Sequence, residues 1–222
     1  MKVVVVGVHD GTVVGRWPLP HGHDPVDVLA ERGWAGDPVG SGLVDGLVEV
    51  RYAVRPVEPA APAEVPTGPS GARRLQRLAA YAVVVDEGRL LMSQLAPWVG
   101  GAGGRWSLPG GGVDPGETPL DGVVREVQEE AGQDVLVDAL VQVQAAHWIG
   151  DVSAGQRHED FHAVRLIHLA TCPDPTPARV VEIDGSTAAA AWVPLAEVGR
   201  LPIVDMVRLA WPHVPGGESY PV

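Results

Sequence analysis

Residues 111–133 constrain this chain more than any other stretch, because a glycine-rich loop there runs straight into a helix carrying carboxylates. The segment reads Gly-Gly-Val-Asp-Pro-Gly-Glu-Thr-Pro-Leu-Asp-Gly-Val-Val-Arg-Glu-Val-Gln-Glu-Glu-Ala-Gly-Gln. Thr118 suits an N-cap, and Pro119 then falls at the first helical position, where a missing N–H costs nothing. Asp121 in the first turn suits the positive end of the helix dipole. Gly132 stops the helix at a left-handed cap, which predicts a helix of about 13 residues. Leu120, Val123, Val124, Val127 and Ala131 recur at steps of three and four and predict one apolar face. Glu126, Glu129 and Glu130 lie three and four apart and gather on a different face. From Asp114 to Glu130 there are six acids and only Arg125 as a base. Like-charge helix pairs cost a few tenths of a kcal/mol each, roughly. Hard oxygen ligands converging on Mg²⁺ or Mn²⁺ would turn that repulsion into binding. A solvated acidic face is the other reading of the same charges.

The full spacing decides between them. Gly111, five residues, Glu117, seven residues, and then Arg125-Glu126-Val127-Gln128-Glu129-Glu130-Ala131-Gly132 resembles the Nudix box. One position departs: the family usually has an aliphatic residue where this chain has Gln133, a packing position just beyond the helix. The resemblance implies a metal-dependent hydrolase that cleaves a nucleoside diphosphate linked to another moiety. Glu126, Glu129 and Glu130 would be its metal-binding carboxylates, one of them also taking the proton from the attacking water. Glu117 would be an outer or loop-orienting acid, Arg125 would hold a glutamate in place, and Gly111 would permit a tight backbone path beside the metal. Two metals about 3.5–4 Å apart could polarise both the attacking and the leaving oxygen. In several family members a further acid from beyond the box joins the site, and Glu159 or Asp160 could fill that role. A charged loop beside a strand is the plainer reading of that pair.

Composition limits the alternatives. The chain has 222 residues and a formal charge of −12, which argues against broad nucleic-acid binding, since that rests on basic phosphate contacts. It leaves a small phosphorylated substrate open, because bound cations reverse the local field. No apolar run approaches the roughly 20 residues of a membrane helix, and the N-terminus Met1-Lys2-Val3-Val4 reads as a strand rather than a signal peptide. A single cysteine, Cys172, forbids an intrachain disulfide and fits a reducing cytoplasm.

Taken in order, residues 1–56 predict a small α+β domain. A hairpin turns at His9-Asp10-Gly11, a short helix opens at Asp24-Pro25 and runs through Arg32, and one or two strands follow from Gly42 to Arg55. The glycines after Val6 do not match a dinucleotide fingerprint. His21 and His23 flank Gly22, but beyond His9 nothing nearby in sequence completes a metal set, so they read as loop residues. Residues 57–77 read as an exposed Pro/Ala-rich linker, 78–212 as the hydrolase domain and 213–222 as a tail. The hydrolase domain opens with a hairpin turning at Asp86-Glu87-Gly88. Arg105 and Trp106 lie on the approach to the box, and Trp98 in the loop before it. Both tryptophans are candidate stacking surfaces for a base, with the core the plainer place for Trp106. Gly150 to Arg157 reads as a polar loop, and the end of the chain as two short helices.

The resemblance implies an α/β fold, the Nudix α/β/α sandwich with a mixed sheet, in addition to the small α+β N-terminal domain. The expected function is a pyrophosphohydrolase using Mg²⁺ or Mn²⁺ on a small nucleotide substrate, with residues 1–56 assisting a homodimer or capping the substrate. The alternative of a different class is a non-catalytic Nudix-fold regulator that binds a nucleotide, although such relatives commonly lose box glutamates. A Nudix-fold isomerase of isoprenoid diphosphates fits less well, because no cysteine nucleophile stands near the box.

Overall fold

A computed structural model of the chain describes residues 2–69, 72–151 and 158–221. Strands β1 (Val3–His9) and β2 (Thr12–Pro18), helix α1 (Pro25–Ala30), and strands β3 (Trp34–Val44) and β4 (Leu47–Pro56) form the N-terminal part. Its four-stranded sheet has the order β2-β1-β4-β3 and is mixed: β1 pairs antiparallel with β2 and parallel with β4, while β3 and β4 are antiparallel. Asp10-Gly11 and Asp45-Gly46 both take positive φ, the conformation that closes tight two-residue hairpins. Val48, Val50, Tyr52 and Val54 alternate inward along β4, and Val28 and Leu29 of α1 are fully buried. Asp24 caps α1, its carboxylate accepting from Val26 N at 3.0 Å. The hairpin and the cap match the sequence reading, but β3 starts at Trp34, well before Gly42. It is the edge strand, which is why Pro38 is tolerated there beside a bulge between Pro38 and Gly40.

The second sheet is built from β5 (Arg73–Asp86), β6 (Arg89–Leu95), β7 (Trp106–Ser107), β8 (Gly110–Gly112), β9 (Leu136–Asp151), β10 (His158–Thr171) and β11 (Thr187–Pro194). Its order is β11-β6-β5-β10-β9, with β7 on β6 and β8 on β5. Helix α2 (Pro119–Ala131) follows β8, and α3 (Asp205–Ala210) comes after a 3-10 turn at Leu195–Arg200. The fold is α/β with mixed sheets and few helices, as expected. Central β5 carries the unbroken apolar run Ala82-Val83-Val84, buried throughout, as a strand covered on both faces requires.

Packing divides the chain into two compact units, Met1–Ala79 with Gly112–Pro119 and Leu140–Leu166, and Ala80–Gly111 with Leu120–Ala139 and Ile167–Val222. Two expectations change here. β5 begins at Arg73, inside the stretch read as linker. The Pro/Ala-rich segment is also pinned in places: Val57 N donates to Gly33 O, Ala60 N to Ala30 O, and Ala63 N to the Glu31 carboxylate. The polar loop expected at 150–157 lies mostly outside the described residues. Among the described residues no helix is long and apolar enough to cross a membrane.

Candidate active site

Helix α2 has the predicted length and start, and Gly132 ends it at φ +65° with its N–H on Gln128 O at 2.9 Å. The chain returning after β10 reinforces that end, with Val181 N and Glu182 N on Glu129 O and Arg179 N on Ala131 O. The buried face differs from the expected one. Val123, Val127 and Ala131 are fully buried, but Leu120 and Val124 are exposed, and Glu130 is 4% exposed. Glu130 falls three residues after Val127 and seven after Val123, so helical geometry places it on the inward stripe.

A buried carboxylate needs partners. Glu130 has them: Oε2 accepts from Gly110 N at 3.0 Å and Oε1 from Thr187 Oγ1 at 2.5 Å. Burial nevertheless pushes its pKa up to about 7, with the Glu126 charge adding to the rise and the hydrogen bonds working against it. Glu130 therefore clamps the helix to the glycine turn and to β11, while standing close to half-protonated near neutral pH.

Glu126 and Glu129 share a cation. Arg125 Nη1 donates to Glu126 Oε1 at 3.0 Å and to Glu129 Oε2 at 2.9 Å. The pKa of Glu126 is raised, first by burial, then by the Glu129 and Glu182 charges, against the lowering effect of Arg125. Glu182 is a carboxylate that sequence reasoning missed. It sits in what read as a loop, and backbone hydrogen bonds from Arg179, Val181 and Glu182 itself bring it to the helix end.

Gly110 is required by close approach, and Gly111 lies against a side chain that can yield. At Gly110, φ +143°, a Cβ would strike the Ala80 carbonyl. A Cβ on Gly111 would lie 2.5–2.6 Å from the Glu126 carboxylate, so the bare backbone is what lets the turn lie against that group. Glu117 closes the loop that enters the helix: its Oε2 accepts from Asp114 N at 2.9 Å, and its own N–H donates to Asp114 O at 3.0 Å. The donor chemistry fits a hard divalent cation: Glu126 and Glu129, with Glu130 one turn on, offer carboxylate oxygens, and burial first, then the neighbouring negative charges, raises the pKa of Glu126.

The remaining candidates separate. Trp98 is 71% exposed in a run of turns. Arg105 is exposed and Trp106 half-buried, paired with Gln94 and held by Pro202 and Ile203 through its backbone. Glu159 is half-buried on β10. Asp160 is buried at 1% exposure, and both its oxygens are engaged, by His21, His147 and Arg74. Gln133, the departure from the box, is 1% exposed and well satisfied. Its Nε2 donates to Ala131 O and Thr176 Oγ1, each at 3.0 Å, and its Oε1 accepts from Thr176 N at 2.9 Å. A polar side chain fills an aliphatic position here because Thr176 meets it.

Known proteins are similar over the part of the chain that holds the box. The NUDIX domain pattern matches residues 75–211, more than half of the chain. A nucleoside triphosphatase NudI of Escherichia coli O1:K1 is 29% identical over 122 residues, 53% of this chain and 82% of that protein. A MutT-like protein of Streptomyces ambofaciens is 33% identical over 132 residues, 60% of this chain and 77% of that one. Among solved structures, a NUDIX hydrolase from Nitrosomonas europaea is similar with a TM-score of 0.49 at 22% identity, covering 67% of this chain and 94% of the other. The chain belongs to the Nudix hydrolase family.

Proposed function

We propose that the chain is a Mg²⁺- or Mn²⁺-dependent pyrophosphohydrolase that cleaves a nucleoside diphosphate linked to another moiety by water attack on the diphosphate. The observation that carries this reading is the Gly111 backbone lying against the Glu126 carboxylate on a helix that also presents Glu129 and Glu130. Glu126 and Glu129 would hold the ion, with Glu130 beside them. A bound divalent ion supplies Lewis-acid polarisation of the diphosphate and a lowered pKa for water.

The chain's own residues do the rest. Arg125 balances Glu126 and Glu129 and fixes their rotamers. Glu130, with its pKa near neutrality and its oxygens oriented by Gly110 N and Thr187 Oγ1, is suited to accept a proton at Oε1 or Oε2. Glu182, whose charge reaches Glu126, is the acid from beyond the box, a place Asp160 is too occupied to take. Glu117 orients the entry loop, and exposed Trp98 offers a surface for the base, with Arg105 and Trp106 on the same approach.

The relatives named as a nucleoside triphosphatase and a MutT-like protein support a small nucleotide substrate. Residues 1–56 we assign to assisting a homodimer or capping the substrate, with the linker ending before β5 at Arg73 and the hydrolase domain running from there to 212. Light scattering of the full chain tests the dimer: a monomer at all concentrations removes it. For the reaction, the test is release of monophosphate products from a panel of nucleoside triphosphates, nucleotide sugars, ADP-ribose and dinucleoside polyphosphates with and without Mg²⁺. Turnover that needs the ion and collapses in Glu129→Gln supports the reading. Tight nucleotide binding without turnover would instead favour a regulator.

A further inference from the structure

A separate cluster has ligand chemistry that the box does not. The Nε2 atoms of His21 and His147 both approach one oxygen, Asp160 Oδ1, at 2.7 and 2.6 Å. The three donor atoms lie within 4.8 Å of one another. His21 comes from the turn after β2, His147 from β9 and Asp160 from β10.

The surroundings hold these atoms in place. Asp160 is 1% exposed, and the side chains of His147 and His21 are 9% and 19% exposed. Arg74 Nε takes the other carboxylate oxygen, Oδ2, at 3.2 Å, which leaves Oδ1 to the two imidazoles. Gly22, at φ +82°, lets the turn press on His147, since a Cβ there would stand 3.1 Å from His147 Nδ1. Trp148 and Phe161, each next in sequence to a member of the cluster, stack at 4.4 Å and brace the two strands together.

A third imidazole packs against the same cluster. His162 is fully buried, its ring edge-on to His21 at 5.5 Å and to His147 at 6.4 Å between centroids. Its Nδ1 faces Gln76 Nε2 at 3.0 Å.

We propose that His21 Nε2, His147 Nε2 and Asp160 Oδ1 form a binding site for a zinc-class divalent metal. Two imidazoles and a carboxylate are a borderline donor set that suits Zn²⁺ and is poor for Mg²⁺, which prefers oxygen alone. Tetrahedral zinc ligands at about 2.0 Å from the ion stand about 3.3 Å apart. The present 2.6 and 2.7 Å are hydrogen-bond lengths, so the ion takes the place of the bridging protons and each donor moves outward by a few tenths of an ångström, roughly. Binding therefore releases protons. Arg74 on Oδ2 is the outer partner that orients the carboxylate. The site joins the turn at His21 to β9 and β10, so its metal stabilises this unit rather than performing the hydrolysis.

The test uses the untagged full chain, stripped by chelator and titrated with Zn²⁺ and with Co²⁺ as a visible probe. One zinc per chain retained through desalting, a visible Co²⁺ absorption band of a low-coordinate nitrogen–oxygen site, and a raised melting temperature are expected. His147→Ala and Asp160→Asn should each weaken zinc binding by about 100-fold or more, since even outer partners cost 10–100-fold. Glu129→Gln should retain the zinc, which separates this site from the box whether or not the proposed reaction is found. A folded parent chain that keeps no zinc and gives no Co²⁺ band overturns the proposal, and so does unchanged affinity in both variants. The parent-chain Co²⁺ spectrum decides the matter even if a variant fails to fold.

Discussion

The carboxylates of α2 and the His21–His147–Asp160 cluster are both polar groups taken out of water, and they are assembled in opposite ways. The first set lies within five consecutive residues, where helical periodicity alone brings Glu126, Glu129 and Glu130 together. The second draws on residues more than a hundred positions apart, joined only when the turn after β2 meets β9 and β10. Like charges crowd the first, so burial and repulsion raise Glu126 and Glu130. Opposite partners crowd the second, so the two histidines hold Asp160 well below the usual carboxylate range. The proposed roles follow that difference: the first set is assigned to binding and reaction, the second to holding the fold. That contrast can be broken by experiment.

The largest effect belongs to the cluster. Asp160→Ala strands Arg74 and the two histidines without their acceptor, and urea unfolding should show a loss of about 3–5 kcal/mol, as for a broken buried pair. Near-parental stability would mean that the cluster is not a structural centre. Next comes pH. Because the folded pKa of Glu130 is raised from 4.5 to about 7, the folded state binds its proton more tightly than the unfolded chain does. Its contribution is fully present below about pH 4.5 and is lost as pH rises through 7, up to about 3 kcal/mol for the metal-stripped chain. Glu130→Gln should flatten that slope in a series of urea midpoints, and an unchanged slope would put the titrating group elsewhere.

Glu129→Gln sharpens the contrast from the other side. Its side chain is 36% exposed, so stability should change by less than about 1 kcal/mol. Metal-dependent turnover should nevertheless fall about 100-fold or more. The smallest effect is at the box's one departure. Gln133→Leu restores the family's usual aliphatic residue but leaves Thr176 N–H without its acceptor, a loss of about 1–2 kcal/mol on thermal unfolding. A gain in stability would show that the polar filling of that position is dispensable.

Elements set by local rules could be read directly. Pro119 and Gly132 bracket α2 where expected, and Asp10-Gly11 closes the first hairpin. The same Asp-Gly signal stands at Asp45-Gly46, yet the first part of the strand before it, from Trp34 to Ser41, was missed, because Gly36, Pro38 and Gly40 argue against a strand that only an edge position makes possible. The buried side of α2 was misassigned because periodicity ranks Leu120 and Val124 above Glu130 by hydrophobicity. It cannot register that Gly110 N and Thr187 Oγ1 wait for a carboxylate. Glu182 gave no local sign at all.

By itself, then, the order of amino acids determined the family, the helix that carries three glutamates and the glycines beside it, since spacing along one helix is already spacing in three dimensions. Only tertiary structure decided which glutamate turned inward, which acid was already committed to histidines, and that His21 was no mere loop residue. Those outcomes depend on partners distant in sequence, and a polar group's role follows from the atoms it finally meets.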